Sequence, residues 1–351
     1  MNSFSPSRRY LHIFAVFTAV CTWLTLITGG RVTSHNAGMA VPDWPTSFGY
    51  NMFLFPVSRW IGPIFYEHSH RLMASGVGLL LIALVVGLAF LEPRRWVKVL
   101  GYCAIGSVVL QGVVGGLRVV LNDAQIGIVH GVLAQSLFVL ISLIAMVTSR
   151  AFVEGRWARA CDTQGFRWVV LCLTALIFAQ LVVAATMRHA HAGLSIHDFP
   201  AAYGKVLPDT SPEAMAAINA KRAAAGEPLT TPDLIWLQMI HRFIAVGILA
   251  LALAVVVRAR RTAAGRLAWL LLGMIAVQIS LGIATILSNK AAEVATAHMA
   301  LGALTLVVSA LLSFRFFAMQ AQWRKESLDV SASTVYPSGS GQSPDCSRAT
   351  A

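Results

Sequence analysis

Eight apolar stretches run along this chain, each long enough to cross a bilayer as a helix, and they leave it few ways to fold. They fall at about 11–29, 70–91, 97–120, 125–148, 167–187, 236–257, 267–288 and 292–314. A spanning helix needs about 20 residues. Inside lipid every backbone N–H and C=O must be satisfied within the protein, which a helix achieves in one segment and an open strand does not. The fold class expected is therefore an all-α integral membrane protein with eight transmembrane helices. Composition agrees: 57% of the residues are hydrophobic and only 12% are charged, about half the charge of a soluble domain. A net charge of +12 does not indicate nucleic acid here, because most Lys and Arg sit in short loops on one side.

Those basic loops orient the chain. Arg8 and Arg9 precede the first span; Arg94, Arg95 and Lys98 separate the second from the third; Arg150, Arg156, Arg159 and Arg167 separate the fourth from the fifth. Arg258, Arg260, Arg261 and Arg266 separate the sixth from the seventh, and Arg315, Arg324 and Lys325 follow the eighth. All five clusters share one face if both termini are cytoplasmic, as positive-inside loops require. The first span runs to Gly29-Gly30 without a small-x-small cleavage site, so no cleaved signal peptide is expected. Cys21, Cys103 and Cys172 lie in spans, and Cys161 and Cys346 on the cytoplasmic side. None is in an outer loop, and no structural disulfide is expected.

The chain reads as a duplication. Ala37-Gly38 through Pro42-Asp43-Trp44-Pro45 to Phe48-Gly49 matches Ala192-Gly193 through Asp198-Phe199-Pro200 to Tyr203-Gly204, 155 residues on. Glu67-x-x-His70-Arg71 matches Gln238-x-x-His241-Arg242 at an offset of 171. Gln111 and Gly115 match Gln278 and Gly282 at 167, and His130 matches His298 at 168. Four matches in order, with slowly changing offsets, indicate an internal repeat. Each copy holds four spans, so both enter the membrane with the same orientation. The organisation expected is two tandem pseudo-symmetric four-helix bundles, 1–150 and 167–317, joined by a cytoplasmic linker at 151–166. A disordered cytoplasmic tail, 318–351, follows. The extra length of the second outer loop is expected to hold a short surface helix over Pro212–Arg222.

Four spans carry one histidine each near the same end: His70, His130, His241 and His298. An ionisable residue inside a span is costly and needs a partner or a function. Singly, each reads as a hydrogen-bonded structural residue. Paired and duplicated, they read as two ligand pairs, and facing helices of a four-helix bundle can hold haem between such pairs. Zinc is the lesser option, because its sites gather three or four ligands. His68 is two positions from His70 and faces elsewhere. His12 reads as interfacial, and His35, His189, His191 and His197 as solvated residues or as lining of the site mouth.

Glu67 shares a helical face with His70, and a carboxylate there can move protons beside a bound haem. The second copy has Gln238, which cannot ionise. Chemistry is therefore expected in the first half and a supporting cofactor in the second, unless Glu67 only caps its helix or pairs with Arg71. Arg71 and Arg242 are candidate ligands for haem propionates, with snorkelling to the interface as the alternative. Gly115, Gly116 and Gly282 permit close approach of helices or of a macrocycle.

Over roughly residues 10–317 these motifs resemble the haem A synthase family. The resemblance rests on Glu67-x-x-His70-Arg71, Pro42-Asp43-Trp44-Pro45, Gln111-Gly112-x-x-Gly115-Gly116, His130-Gly131, His241-Arg242 and His298. It implies an oxidoreductase of a bacterial inner membrane that converts a methyl substituent of haem O to the formyl group of haem A for cytochrome oxidase. It further implies His70 and His130 around the substrate haem iron, Glu67 as catalytic carboxylate, and haem b on His241 and His298. Haem O synthase and the oxidase assembly apparatus would be functional partners, and a homo-oligomer is compatible. Some family members carry a cysteine pair in the first outer loop; this chain has none there. A non-catalytic dihaem b-type cytochrome and a haem transporter remain as alternatives.

Overall fold

A computed structural model of the chain describes residues 5–123, 125–155, 166–260 and 264–335, with side chains to 318. The membrane-length helices are α1 (Pro6–Ser34), α2 (Pro63–Leu91), α3 (Arg95–Val120), α4 (Ile126–Thr148), α6 (Phe166–His189), α8 (Pro232–Ala259), α9 (Gly265–Leu287) and the start of α10 (Ala292–Val335). Two shorter helices join them, α5 (Arg150–Val153) and α7 (Pro212–Ala224). The chain is a multi-pass all-α membrane protein, and among the described residues no strand forms beyond two isolated bridges. The surface helix expected at 212–222 is α7. Arg156, Arg159, Cys161, Arg261, Cys346 and most of the expected linker lie outside the described residues.

Two expected boundaries move. Spans drawn at 70 and 236 begin at Pro63 and Pro232, because proline suits the first helical turn, where its missing N–H is no loss. Thr231 caps α8 through the Leu234 N–H. His70 and His241 are therefore interior, roughly 10 and 13 Å along their helices at about 1.5 Å per residue. At the other end, α10 runs on to Val335, so a disordered tail from 318 is corrected as far as 335. Sequence polarity signalled the end of the span there, and polarity does not end a helix.

Contacts divide the helices into two bundles, α1–α4 and α6, α8, α9 and α10. Between them, α1 packs on α10, α6 on α4, and α4 on α10. Since α6 repeats α1 and α10 repeats α4, these contacts are what a pseudo-two-fold axis between α4 and α10 requires. Each bundle's buried core lies away from the histidines. In the first it is built by Leu81, Leu84 and Leu88 of α2 against Ile141 and Ile144 of α4; in the second by Leu173, Val255 and Leu271. The apolar side chains close the basic ends of the bundles, so the histidine ends are where a ligand can enter between helices. Buried Thr18 and Thr22 fit an apolar helix because each hydroxyl donates to the carbonyl one turn earlier.

At the basic end, buried Glu92 closes the turn between α2 and α3. Arg94 donates from Nε and Nη2 to its two oxygens at 2.7 and 2.8 Å, and Nη2 also reaches the Val147 carbonyl of α4 at 2.8 Å. Burial opposes ionisation of Glu92, but the Arg94 bonds outweigh it and hold the carboxyl below its ordinary 4.5. Breaking a buried pair strands a charge, so Glu92→Gln should cost on the order of 2–4 kcal/mol, read by thermal unfolding in detergent. The stabilisation is complete above the ordinary carboxylate value and is lost as pH falls through the depressed one. The gap between variant and parent should therefore narrow in acid.

Candidate functional site

Each half places a long loop over its histidine end, after α1 and after α6, and the two loops are built alike. Asp43 accepts from the Phe48 and Gly49 N–H groups at 2.7 and 2.9 Å and from the Thr46 hydroxyl at 2.5 Å. Asp198 accepts from the Tyr203 and Gly204 N–H groups, both at 2.8 Å. Two adjacent N–H groups converge on one carboxylate only if the backbone turns left-handed there. Phe48 and Tyr203 have φ of 52° and 54°, and Gly49 and Gly204 follow at 77° and 76°. Burial raises the pKa of both aspartates, but these hydrogen bonds prevail and hold them below the ordinary value. The Asp-aromatic-Pro motif is thus a turn device.

Helix side chains clamp these loops. Glu67 Oε2 accepts from the Val41 N–H at 2.9 Å, and Oε1 accepts from Arg71 Nη2 at 2.7 Å. Arg71 also donates to the carbonyls of Val41 (2.8 Å), Asp43 (2.7 Å) and Thr46 (3.2 Å). In the second half Gln238 replaces the pair: its oxygen accepts from Ile196 N–H at 2.7 Å and its amide donates to Ile196 O at 3.1 Å. Arg242 donates to Asp198 O and Ala201 O. Arg71 thus spends its terminal N–H groups on loop carbonyls and Glu67, whereas Arg242 gives one bond from each terminal nitrogen and keeps a buried Nε without a partner. Glu67 is buried beside the loop, and its hydrogen bonds run to the loop and to Arg71.

The four histidines occupy the bundle interiors, most of them against a glycine. A Cβ on Gly29 would sit 2.9 Å from the His70 ring, one on Gly115 2.7 Å from His130, and one on Gly282 3.1 Å from His298. His70 Nδ1 lies 3.1 Å from Thr28 Oγ1, whose own hydrogen goes to Thr25 O. The ring must therefore donate from Nδ1, leaving the Nε2 lone pair free. His298 Nδ1 donates likewise to Gln278 O at 3.1 Å. The Nδ1 atoms of His130 and His241 are buried without a partner. His241 and His298 face each other with ring centres 6.5 Å apart. An imidazole nitrogen sits about 2 Å from a metal it binds, with the ring centre about 1 Å behind, so rings across one ion have centres roughly 6 Å apart. Among the described residues no three His, Cys, Asp or Glu gather at one point. The pair therefore suits a metal whose other positions are filled by its own ring nitrogens, as in haem.

Three glutamines take part, of which the sequence reading used Gln111 and Gln278 only as repeat and motif markers and did not single out Gln180. Gln111, Gln180 and Gln278 each donate to the backbone carbonyl of a histidine, His130, His241 and His298, at 2.9–3.0 Å. Gln111 Nε2 also lies 3.3 Å from His130 Nε2. Partly buried Arg118 of α3 and Arg188 of α6 were missed, although each is a lone charge in an apolar span, the same signal that marked the histidines. His68 is fully buried between Phe55 and Trp60 and bonds Ser47; its counterpart Met239 is an ordinary core residue, so His68 belongs to the loop packing. His12 bonds the Ala145 carbonyl, His35 stacks on Tyr66, His189 packs on Gly127, and His197 pairs with Glu227.

Fold and site together define a membrane protein of two fused four-helix bundles, each with a buried histidine pair under a clamped loop. The chain belongs to the cytochrome oxidase assembly protein family, whose model matches residues 58–310. Heme A synthase of Hyphomonas neptunium is 26% identical over 294 residues, covering 81% of this chain and 76% of that protein. Heme A synthase of Rhizorhabdus wittichii is 23% identical over 334 residues, covering 86% and 92%. That of Alkalihalophilus pseudofirmus is 27% identical over 204 residues, covering 56% of this chain and 66% of its own length, just under two thirds. The family resemblance read in the motifs is borne out.

The glycine seats make a direct test. Gly115→Ala should displace the His130 ring and abolish ligand binding in the first bundle, while Gly112→Ala, which meets open space, should not. Absorbance titration of the purified variants with ferric porphyrin checks both.

Proposed function

We propose that this protein is a haem A synthase that oxidises the methyl substituent of haem O to the formyl group of haem A. In this reading His70 and His130 flank the iron of the substrate. His241 and His298 hold a resident haem b, which supplies one-electron transfer when bound. Both termini are cytoplasmic, in a bacterial inner membrane, and the histidine end faces outward. A haem O synthase supplies the substrate and cytochrome oxidase assembly consumes the product.

The observation that carries the proposal is the difference between two otherwise matched sites. Ligand histidines, loop turns and loop clamps are duplicated, yet only the first site has a buried carboxylate. Gln238 alone makes the two bonds to its loop that the first half makes with Glu67 and Arg71 together. A carboxylate is thus not needed to hold the loop, and its presence calls for another role. Each Glu67 oxygen keeps a second lone pair after its present hydrogen bond. Glu67 is therefore equipped to accept the proton released at the methyl carbon. Each of the two oxidations, to hydroxymethyl and to the geminal diol, passes two electrons to an external oxidant and takes up one oxygen atom. The diol then loses water to give the aldehyde.

Coexpression with a haem O synthase and chromatography of the extracted pigments test this reading. The parent should yield haem A; unchanged haem O would point instead to a dihaem cytochrome or a transporter. Glu67→Gln, which copies the second half's clamp, should lower haem A output by at least about 100-fold with the haem b spectrum intact. Undiminished output from that variant would reduce Glu67 to a loop anchor.

A further inference from the structure

The first site holds a partly buried cation that no carboxylate among the described residues pairs with directly. Arg118 of α3 lies under the first loop, with its guanidinium packed on Gly38, where an added Cβ would stand 2.4 Å from Nη2. Its Nε is buried without a partner, and among the described residues it makes no hydrogen bond or ion pair. Its charge acts on both histidines of the first pair, His70 and His130, and on Glu67, Arg188 and His189. Glu67 is the carboxylate within its reach, and that is already bonded to Val41 and Arg71.

Further positive charge gathers beside it across the bundle boundary. Arg188, at the end of α6, donates from Nη2 to Gly30 O and Ser34 Oγ of α1, both at 2.7 Å, and keeps a buried, unpartnered Nε. Lys290, in the turn before α10, has its ammonium pushed below its usual range by burial and by Arg188. Unpaired buried charge is expensive, so a cluster of this kind is retained where an anion completes it.

At the position of Arg118 the second half has no cation, although its Arg242, held by two loop carbonyls, also keeps a buried Nε without a partner. Arg118 corresponds to Thr285 at the offset shared by Gln111 and Gln278, and Thr285 bonds its own helix at Leu281 O. Gly193, the counterpart of Gly38, has nothing packed on it.

We infer that Arg118 is the carboxylate anchor of the first bundle's ligand, binding a propionate of the porphyrin, with Arg188 and Lys290 supplying the positive field for its neighbour. This rests on the porphyrin-binding reading of the His70 and His130 pair. A guanidinium fork matches a carboxylate bidentately, and Arg118 has the free nitrogens that Arg71 lacks. The first site thus selects for ligand acidity.

The test is a Soret titration of the full-length protein in detergent with ferric protoporphyrin IX and, separately, its dimethyl ester. The His70→Ala/His130→Ala variant serves as the blank for binding elsewhere. The parent should prefer the diacid by about tenfold or more. Arg118→Gln should erase most of that preference while leaving ester affinity unchanged. Arg118→Lys, which keeps the charge but not the fork, should retain part of it. An unaltered diacid preference in Arg118→Gln overturns the inference alone. If Arg118→Gln fails to accumulate, an unaltered preference in Arg118→Lys overturns it and a partial fall supports it. Porphyrin binding identical in parent and blank overturns the inference together with the reading on which it rests.

Discussion

Polar groups placed in an apolar bundle must be satisfied by the protein itself, and most of this structure follows from that requirement. Threonine hydroxyls return to their own helices, and glutamine amides seek the carbonyls of the histidine-bearing turns. The loops over the site are held by a carboxylate with an arginine in one half and by one amide in the other. Among the buried atoms left without a partner at the histidine ends are Nδ1 of His130 and His241 and Nε of Arg118, Arg188 and Arg242.

Duplication supplies an internal control. The two loops share their aspartate turn, their left-handed aromatic-Gly pair and a matching X-Pro cis peptide, Trp44-Pro45 and Phe199-Pro200. Features kept in both halves, such as these turns and the glycine seats under His130 and His298, serve the common architecture. Features found in one half, Glu67 and Arg118, mark where the halves differ in charge. Both lie in the first bundle and both change charge, the property that matters most in a low-dielectric interior.

Much of this was legible in the chain. Membrane helices advertise themselves by length and hydropathy, and all eight were found. The repeat was readable because motifs recur in order, and with it came the pairing of the histidines. Less legible were the loop clamps of Arg71 and Arg242, which the sequence offered only as candidate propionate ligands or as snorkelling residues. Their true acceptors are carbonyls of Val41, Asp43, Asp198 and Ala201, and backbone carbonyls leave no mark in a sequence. The end of α10 was misplaced because a polar stretch ends a membrane span without ending a helix.

By itself the sequence determined the class, the eight spans and the pairing of four intramembrane histidines by repetition, since hydropathy and repetition are properties of the chain read in order. Only the tertiary structure decided which cation is free. Arg71 and Arg118 are both single arginines on apolar helices. One is surrounded by acceptors 25 to 30 residues distant in the chain, and the other is not. Whether a charge is paired depends on what the fold brings beside it, and that is a property of three-dimensional packing.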